Sequence, residues 1–198
     1  GGGVSVLRAL FDLLGIKQLQ QASGGLRHGL LQDLLGSGHQ YTDLRDHSVE
    51  RLAAKFGANP THGNRVGNVA NILFRQISAG ACDARVSRKL AWAGQLHEIG
   101  SHISHSDSHK HGAYILANTD AMGFAQTELH KLSQLVLGHR GKLRKLETDF
   151  EDSLFIQQLL VLRLAVALCH ARRDPDVKGI SLSRKTAQTK HFSLSVSK

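Results

Sequence analysis

Apolar positions along most of this chain recur every third or fourth residue, the period of a helix face, and shift to every second residue only near the C-terminal end. Val4, Leu7, Leu10, Phe11 and Leu14 open with the helical period, and the short stretch Ile16 to Leu19 suits a strand. Leu26, Leu30, Leu31 and Leu34 predict a second helix over Gly25 to Leu35, followed by a glycine-rich polar linker, Gly36 to Tyr41. Thr42 and Asp43 offer caps for a helix carrying Val49, Leu52 and Phe56, which Gly57 stops. Pro60 suits the first turn of the next helix, whose Val66, Val69, Ala70, Leu73 and Ile77 share a face. Further helices are predicted from Ser87 to His97–Gly100, from His109 to Leu116 behind a Ser108 cap, over Ala125 to Leu137, and over Leu154 to Cys169. The last is apolar on nearly every side and belongs at the centre of a bundle. Beyond Pro175, Ile180/Leu182 and Phe192/Leu194/Val196 alternate, which predicts a β-hairpin.

The expected class is mainly α, organised in three parts. Residues 1–41 are too few to fold alone and read as the end of a larger domain plus a linker, residues 42–174 as a helical domain, and residues 175–198 as the start of a β domain.

Composition narrows the function classes. A hydrophobic content of 41% is enough for a core, and two prolines argue against a long disordered region. No apolar run approaches the roughly 20 residues that span a bilayer, and no signal segment opens the chain. Cys82 and Cys169 stand in no recognisable spacing and read as reduced thiols of a cytoplasmic protein. The formal net charge of +9 attracts polyanions. From Ser153 onward the acids are Asp174 and Asp176 alone, set against Arg163, Arg172, Arg173, Lys178, Arg184, Lys185, Lys190 and Lys198. A second basic knot, Arg140, Lys142, Arg144 and Lys145, lies just upstream. Nucleic acid is not the expected partner, since aromatics for base stacking are few and no reading-helix motif occurs.

Histidine is concentrated between Leu96 and Leu116, which hold His97, His102, His105, His109 and His111. Together with His62, this arrangement partly resembles the helical phosphohydrolases of the HD superfamily. Those hold a divalent metal with a histidine on one helix, a His-Asp pair on a second and an aspartate on a late helix. Here His97-Glu98 stands at the pair, and Arg163-Leu164-Ala165-Val166-Ala167-Leu168 places Val166 where the final aspartate belongs. Valine donates nothing to a cation, so no bound metal is expected; the alternative metal set is His62, His97 and Glu98, joined by His139 if the chain were a stand-alone metal-dependent phosphohydrolase.

A narrower likeness covers nearly the whole chain. The run LHEIGSHISHSDSHKHGAYIL, then Asn118-Thr119-Asp120, Gly123-Phe124 and Leu135-Val136-Leu137-Gly138-His139-Arg140, resembles the helical third domain of exopolyphosphatases and guanosine pentaphosphate phosphohydrolases, the Ppx/GppA family. Gly2-Gly3-Val4 and Leu26-Arg27-His28-Gly29-Leu30-Leu31 are similar to the stretch that closes the family's actin-like second domain, and Gly179 to Lys198 is similar to the start of its C-terminal β domain. His28 departs from the family's usual glutamate and Met122 from its usual proline.

The resemblance implies an HD-like helical bundle flanked by a remnant of an actin-like α/β domain and a C-terminal β-hairpin. It implies a substrate, inorganic polyphosphate or guanosine pentaphosphate, whose terminal phosphate is removed elsewhere, at phosphate loops with a catalytic base and Mg²⁺. Neither G-x-G-x-x-G nor G-x-x-x-x-G-K-[ST] occurs in this chain, so these residues are expected to bind rather than to catalyse, to need no cofactor of their own, and to be inactive alone. A homodimer is also implied. Phosphate contacts are expected from His109, Lys110 and His111 in a helix first turn behind Ser108, and from His139 and Arg140, with Lys142, Arg144 and Lys145 behind them.

Overall fold

The computed structural model of the chain describes residues 2–18, 44–78, 84–143, 146, 152–184 and 191–196. The chain divides into two units, Gly1–Tyr41 and Thr42–Lys198. In the first, helix α1 (Gly2–Leu14) ends at Gly15, where a φ of 63° turns the chain so that the Ile16 N–H donates to the Phe11 carbonyl at 3.0 Å. Residues 16–18 are irregular, not the start of the expected strand: Ile16 is held by the end of the helix, and no strand adjoins it among the described residues. The remainder of that strand, the helix at 25–35 and the linker at 36–41 lie outside the described residues.

The second unit contains α2 (Leu44–Lys55), α3 (Pro60–Ile77), α4 (Ala84–Leu96), a 3₁₀ turn (Ile99–His102), α5 (Ser108–Ala117), α6 (Gln126–Gly138), α7 (Ser153–Leu168) and the strands β1 (Ile180–Arg184) and β2 (Phe192–Val196). Most boundaries fall within a residue or two of those predicted. Helix α4 begins at Ala84 rather than Ser87, because Val86 and Leu90 are both buried one turn apart. Helix α5 begins at Ser108 itself, and its cap is Asp107, held in the left-handed region at φ 57°.

Local chemistry explains several ends. Asn59 caps α3 by accepting the His62 N–H at 2.9 Å, with Pro60 as the first helical residue. Asp152 caps α7 by accepting the N–H groups of Leu154 and Phe155, both at 3.1 Å. Replacing Asp152 with alanine should therefore lower stability by about 1 kcal/mol. A urea denaturation series checks this, and no measurable loss would mean that packing alone holds the first turn of α7.

The core is shared by α3, α4, α6 and α7, with Leu73, Phe74, Leu90, Leu96, Leu132, Leu135 and Leu162 essentially inaccessible to solvent. As its composition predicted, α7 touches α3, α4 and α6. Helices α3 and α4 approach unusually closely because glycine faces glycine. A Cβ added to Gly94 would lie 2.5 Å from the Gly67 nitrogen and 2.8 Å from the Gly63 carbonyl oxygen. This seam carries the N-terminal turn of α3 alongside the C-terminal end of α4, and so places His62 beside His97.

Strands β1 and β2 form an antiparallel hairpin in which Leu182 faces Leu194. Gln76 of α3 docks it: its amide N–H donates to the Ile180 carbonyl at 3.1 Å, and its amide oxygen accepts the Leu182 N–H at 2.7 Å. Cys169 is buried at the end of α7, and burial raises its thiol pKa. None of the described helices is long and apolar enough to cross a membrane.

Candidate functional site

The helix ends converge on a cavity of about 710 Å³. Its wall carries five imidazoles, those of His62, His97, His105, His139 and His170, and three of them stand at helix ends. His62 stands in the first turn of α3, His97 follows the last residue of α4, and His139 follows the last residue of α6. All three are buried. The His62 and His97 ring centres are 5.5 Å apart, those of His97 and His139 5.4 Å, and His109 of α5 continues the row at 6.3 Å from His139.

Two of these rings are pinned in the same way. His97 Nδ1 lies 2.6 Å from the Gly94 carbonyl oxygen, and His139 Nδ1 lies 2.6 Å from that of Val136. A carbonyl accepts only, so each Nδ1 carries the proton, and in the neutral ring Nε2 is left as an acceptor. Both bonds use a carbonyl that the ending helix leaves without an intrahelical partner.

Electrostatics favour that neutral form. Burial pushes His139 down to about 3, and the adjacent His97 and His109 act in the same direction. Burial also lowers His97, against the opposing pull of the Gly94 carbonyl and Glu98. His62 is lowered by burial too, although Glu98 partly restores it. At neutral pH the rings of His62, His97 and His139 are therefore uncharged.

Cations surround the row. Arg140, Arg163 and Arg172 all line the cavity. Arg163 of α7 donates to the Gly138 carbonyl at 2.6 Å and to that of Gly141 at 3.2 Å, which ties down the turn bearing His139 and Arg140. Arg172, in the left-handed region at φ 56°, reaches back to Glu98 Oε1 at 2.8 Å. Beside it, Arg65 Nε pairs with Asp174 at 2.6 Å.

Of the residues expected to contact phosphate, His139 and Arg140 line the cavity. His139 does so as a buried neutral ring rather than as a cation. His109 stands behind it against Gly141. The first turn of α5 is arranged differently from the expectation, because Asp107 and not Ser108 is its cap. The Asp107 carbonyl accepts the N–H groups of Lys110 and His111 at 2.8 and 3.2 Å, and the Lys110 ammonium pairs with the Asp107 carboxylate at 2.5 Å. Neither Lys110 nor His111 lines the cavity, and Lys142 is exposed beyond it. Arg144 and Lys145 lie outside the described residues. Arg163 and Arg172 were not singled out from sequence; the basic bias after Ser153 contained them, but only the tertiary fold selects them from their neighbours.

His62, His97 and Glu98 can each offer a donor atom such that all three lie within 4.8 Å of one another. They fit a metal incompletely. Glu98 is already paired with Arg172, His62 Nε2 stands 3.9 Å from it, and Val166, which lines the same cavity, has no donor atom to add.

Residues 44–198 match the family described as "Ppx/GppA phosphatase, domain III". This chain belongs to the Ppx/GppA phosphatase family. Among curated relatives, it is 32% identical over 186 residues to a guanosine-5'-triphosphate,3'-diphosphate pyrophosphatase of Aeromonas hydrophila, covering 91% of this chain and 37% of that protein. It is 34% identical over 188 residues to the protein of the same name from Pseudoalteromonas translucida, covering 92% of this chain and 38% of that one. The chain thus spans a little over a third of the length of these Ppx/GppA relatives, and the cavity lies wholly within residues of the domain III match.

Proposed function

We propose that this chain is the phosphate-binding helical portion of a Ppx/GppA phosphatase and that it holds inorganic polyphosphate or guanosine pentaphosphate in the cavity at the helix ends. The observation that carries this reading is the meeting of Arg140, Arg163 and Arg172 at one cavity in a member of this family. A flexible polyanion offers no base sequence to read, and several guanidinium contacts suit it better than one tight pocket. Under this reading the hydrolytic step, with its Mg²⁺, belongs to an actin-like site outside these 198 residues, and the chain works in the cytoplasm as part of a homodimer. The chain alone then turns over neither substrate.

Long-chain polyphosphate titrated into the chain at several salt concentrations tests the reading. Binding should weaken linearly on a log–log plot, and Arg140→Ala should reduce the slope by about 1 while lowering affinity. Unchanged affinity and slope in that variant, or no binding by the parent, would overturn the assignment.

The cluster of His62, His97 and Glu98 favours a second reading, a metal-dependent phosphohydrolase acting at the same cavity. Elemental analysis separates the two, since stoichiometric zinc, manganese or iron in purified protein supports the second and excludes the first.

A further inference from the structure

Beside the side chains of Ser101, His105, Ser108 and His170, the cavity wall brings together two kinds of group that make opposite demands on a ligand. The guanidinium groups of Arg140, Arg163 and Arg172 are donors. The rings of His97 and His139 are the reverse, because each commits its Nδ1–H to a backbone carbonyl at 2.6 Å and keeps Nε2 as an acceptor. An unprotonated phosphate oxygen satisfies the guanidinium groups and is repelled by the imidazole lone pairs. A phosphate oxygen that carries a proton can donate it to them.

We infer that the cavity selects a phosphate group bearing a proton, either free orthophosphate or a chain terminus, over the bridging phosphates of an extended chain; this rests on the phosphate-binding reading above. Orthophosphate keeps a proton at neutral pH. A terminal phosphate has a second ionisation near that of a phosphomonoester, about 6, so an acceptor can hold the proton on it. A bridging phosphate has one strongly acidic oxygen and carries no proton in this range. The same wall holds Glu98, a further acceptor for such a proton, and the Arg172 guanidinium at 2.8 Å offsets its charge against an entering anion. Burial supports the assignment by keeping the His97 and His139 rings neutral. A buried acceptor facing an oxygen without a proton is left unsatisfied, which is the usual basis of strong discrimination between otherwise similar ligands.

Sulfate is the decisive probe, because it has the shape and nearly the charge of orthophosphate but no proton at pH 7. Calorimetric titration of the whole chain, first dialysed against a chelator, should show orthophosphate bound at least about tenfold more tightly than sulfate. His139→Phe should bring that ratio towards one while sulfate still binds; circular dichroism checks its fold, and the parent ratio stands without it. Equal binding of the two anions by the parent overturns the inference and leaves the anion cavity intact. Binding of neither anion, nor of polyphosphate, overturns both. A phosphate preference that emerges only after zinc or manganese is added also overturns it, in favour of a metal centre. Linear tripolyphosphate compared with cyclic trimetaphosphate then separates the sources. Preference for the linear compound marks a chain terminus, and weak binding of both beside tight binding of orthophosphate marks the free anion; equal binding of both as tight as that of orthophosphate overturns the inference.

Discussion

Lowering the pH from 7 to 5 should destabilise this chain by about 2 kcal/mol through His139 alone. The folded state holds this histidine at about 3, against an ordinary value of 6.5. Its folded pKa is depressed, so the contribution to stability is fully present above 6.5 and is lost as the pH falls from there towards 3. In that window the unfolded chain binds a proton that the folded chain refuses, and stability falls by about 1.4 kcal/mol per pH unit for each such group. His97 and His62 are shifted in the same direction and steepen the decline. Urea denaturation at pH 7, 6 and 5 reads the effect directly. His139→Phe should remove about one proton's worth of the slope, whatever it does to stability at pH 7. Equal unfolding free energies at pH 7 and pH 5 would show that the row is solvated or already charged in the folded protein.

The second large effect lies at the glycine seam. Gly94→Ala should cost about 3 kcal/mol, at the upper end of what overpacking produces. The added methyl would meet the Gly67 nitrogen at 2.5 Å and the Gly63 carbonyl oxygen at 2.8 Å, and backbone cannot swing aside as a side chain can. Gly67→Ala makes a graded control, since its Cβ would come no closer than 3.0 Å to Ala91 Cα. Its loss should be clearly smaller. Helix separation would also move His62 from His97, so the Gly94 variant should bind phosphate more weakly even where it remains folded. Equal, small losses in the two variants would mean that α3 and α4 slide apart at little cost.

Much of the fold was legible because periodicity and punctuation agreed. Pro60, Gly57 and the leucines of α7 mark their elements within a residue or two. The first turn of α5 was misread for a definite reason. Ser108 is a good cap by type, but Asp107 took that role from a left-handed backbone conformation that sequence spacing does not reveal. His139 is among the expected phosphate contacts and lines the cavity, but its charge state is not legible in the sequence, because burial depends on α5, α6 and α7 packing together. Arg163 and Arg172 illustrate the same limit. Each is one cation among many until Gly138, Gly141 and Glu98 become its neighbours. What the chain pattern conveys well is where backbone turns; which polar groups share a wall is a property of the assembled bundle.

The amide of Gln76 has a consequence for how the β-hairpin can grow. By donating to the Ile180 carbonyl and accepting the Leu182 N–H, this side chain takes the place that a neighbouring strand's peptide group would fill along β1. That margin of the sheet is therefore closed by α3 rather than left as a template. Among the described residues no strand pairs with the other margin, at β2, where Leu194 and Val196 are exposed, so a third strand would add there. Sheet extension thus proceeds in one direction only, away from the helical bundle.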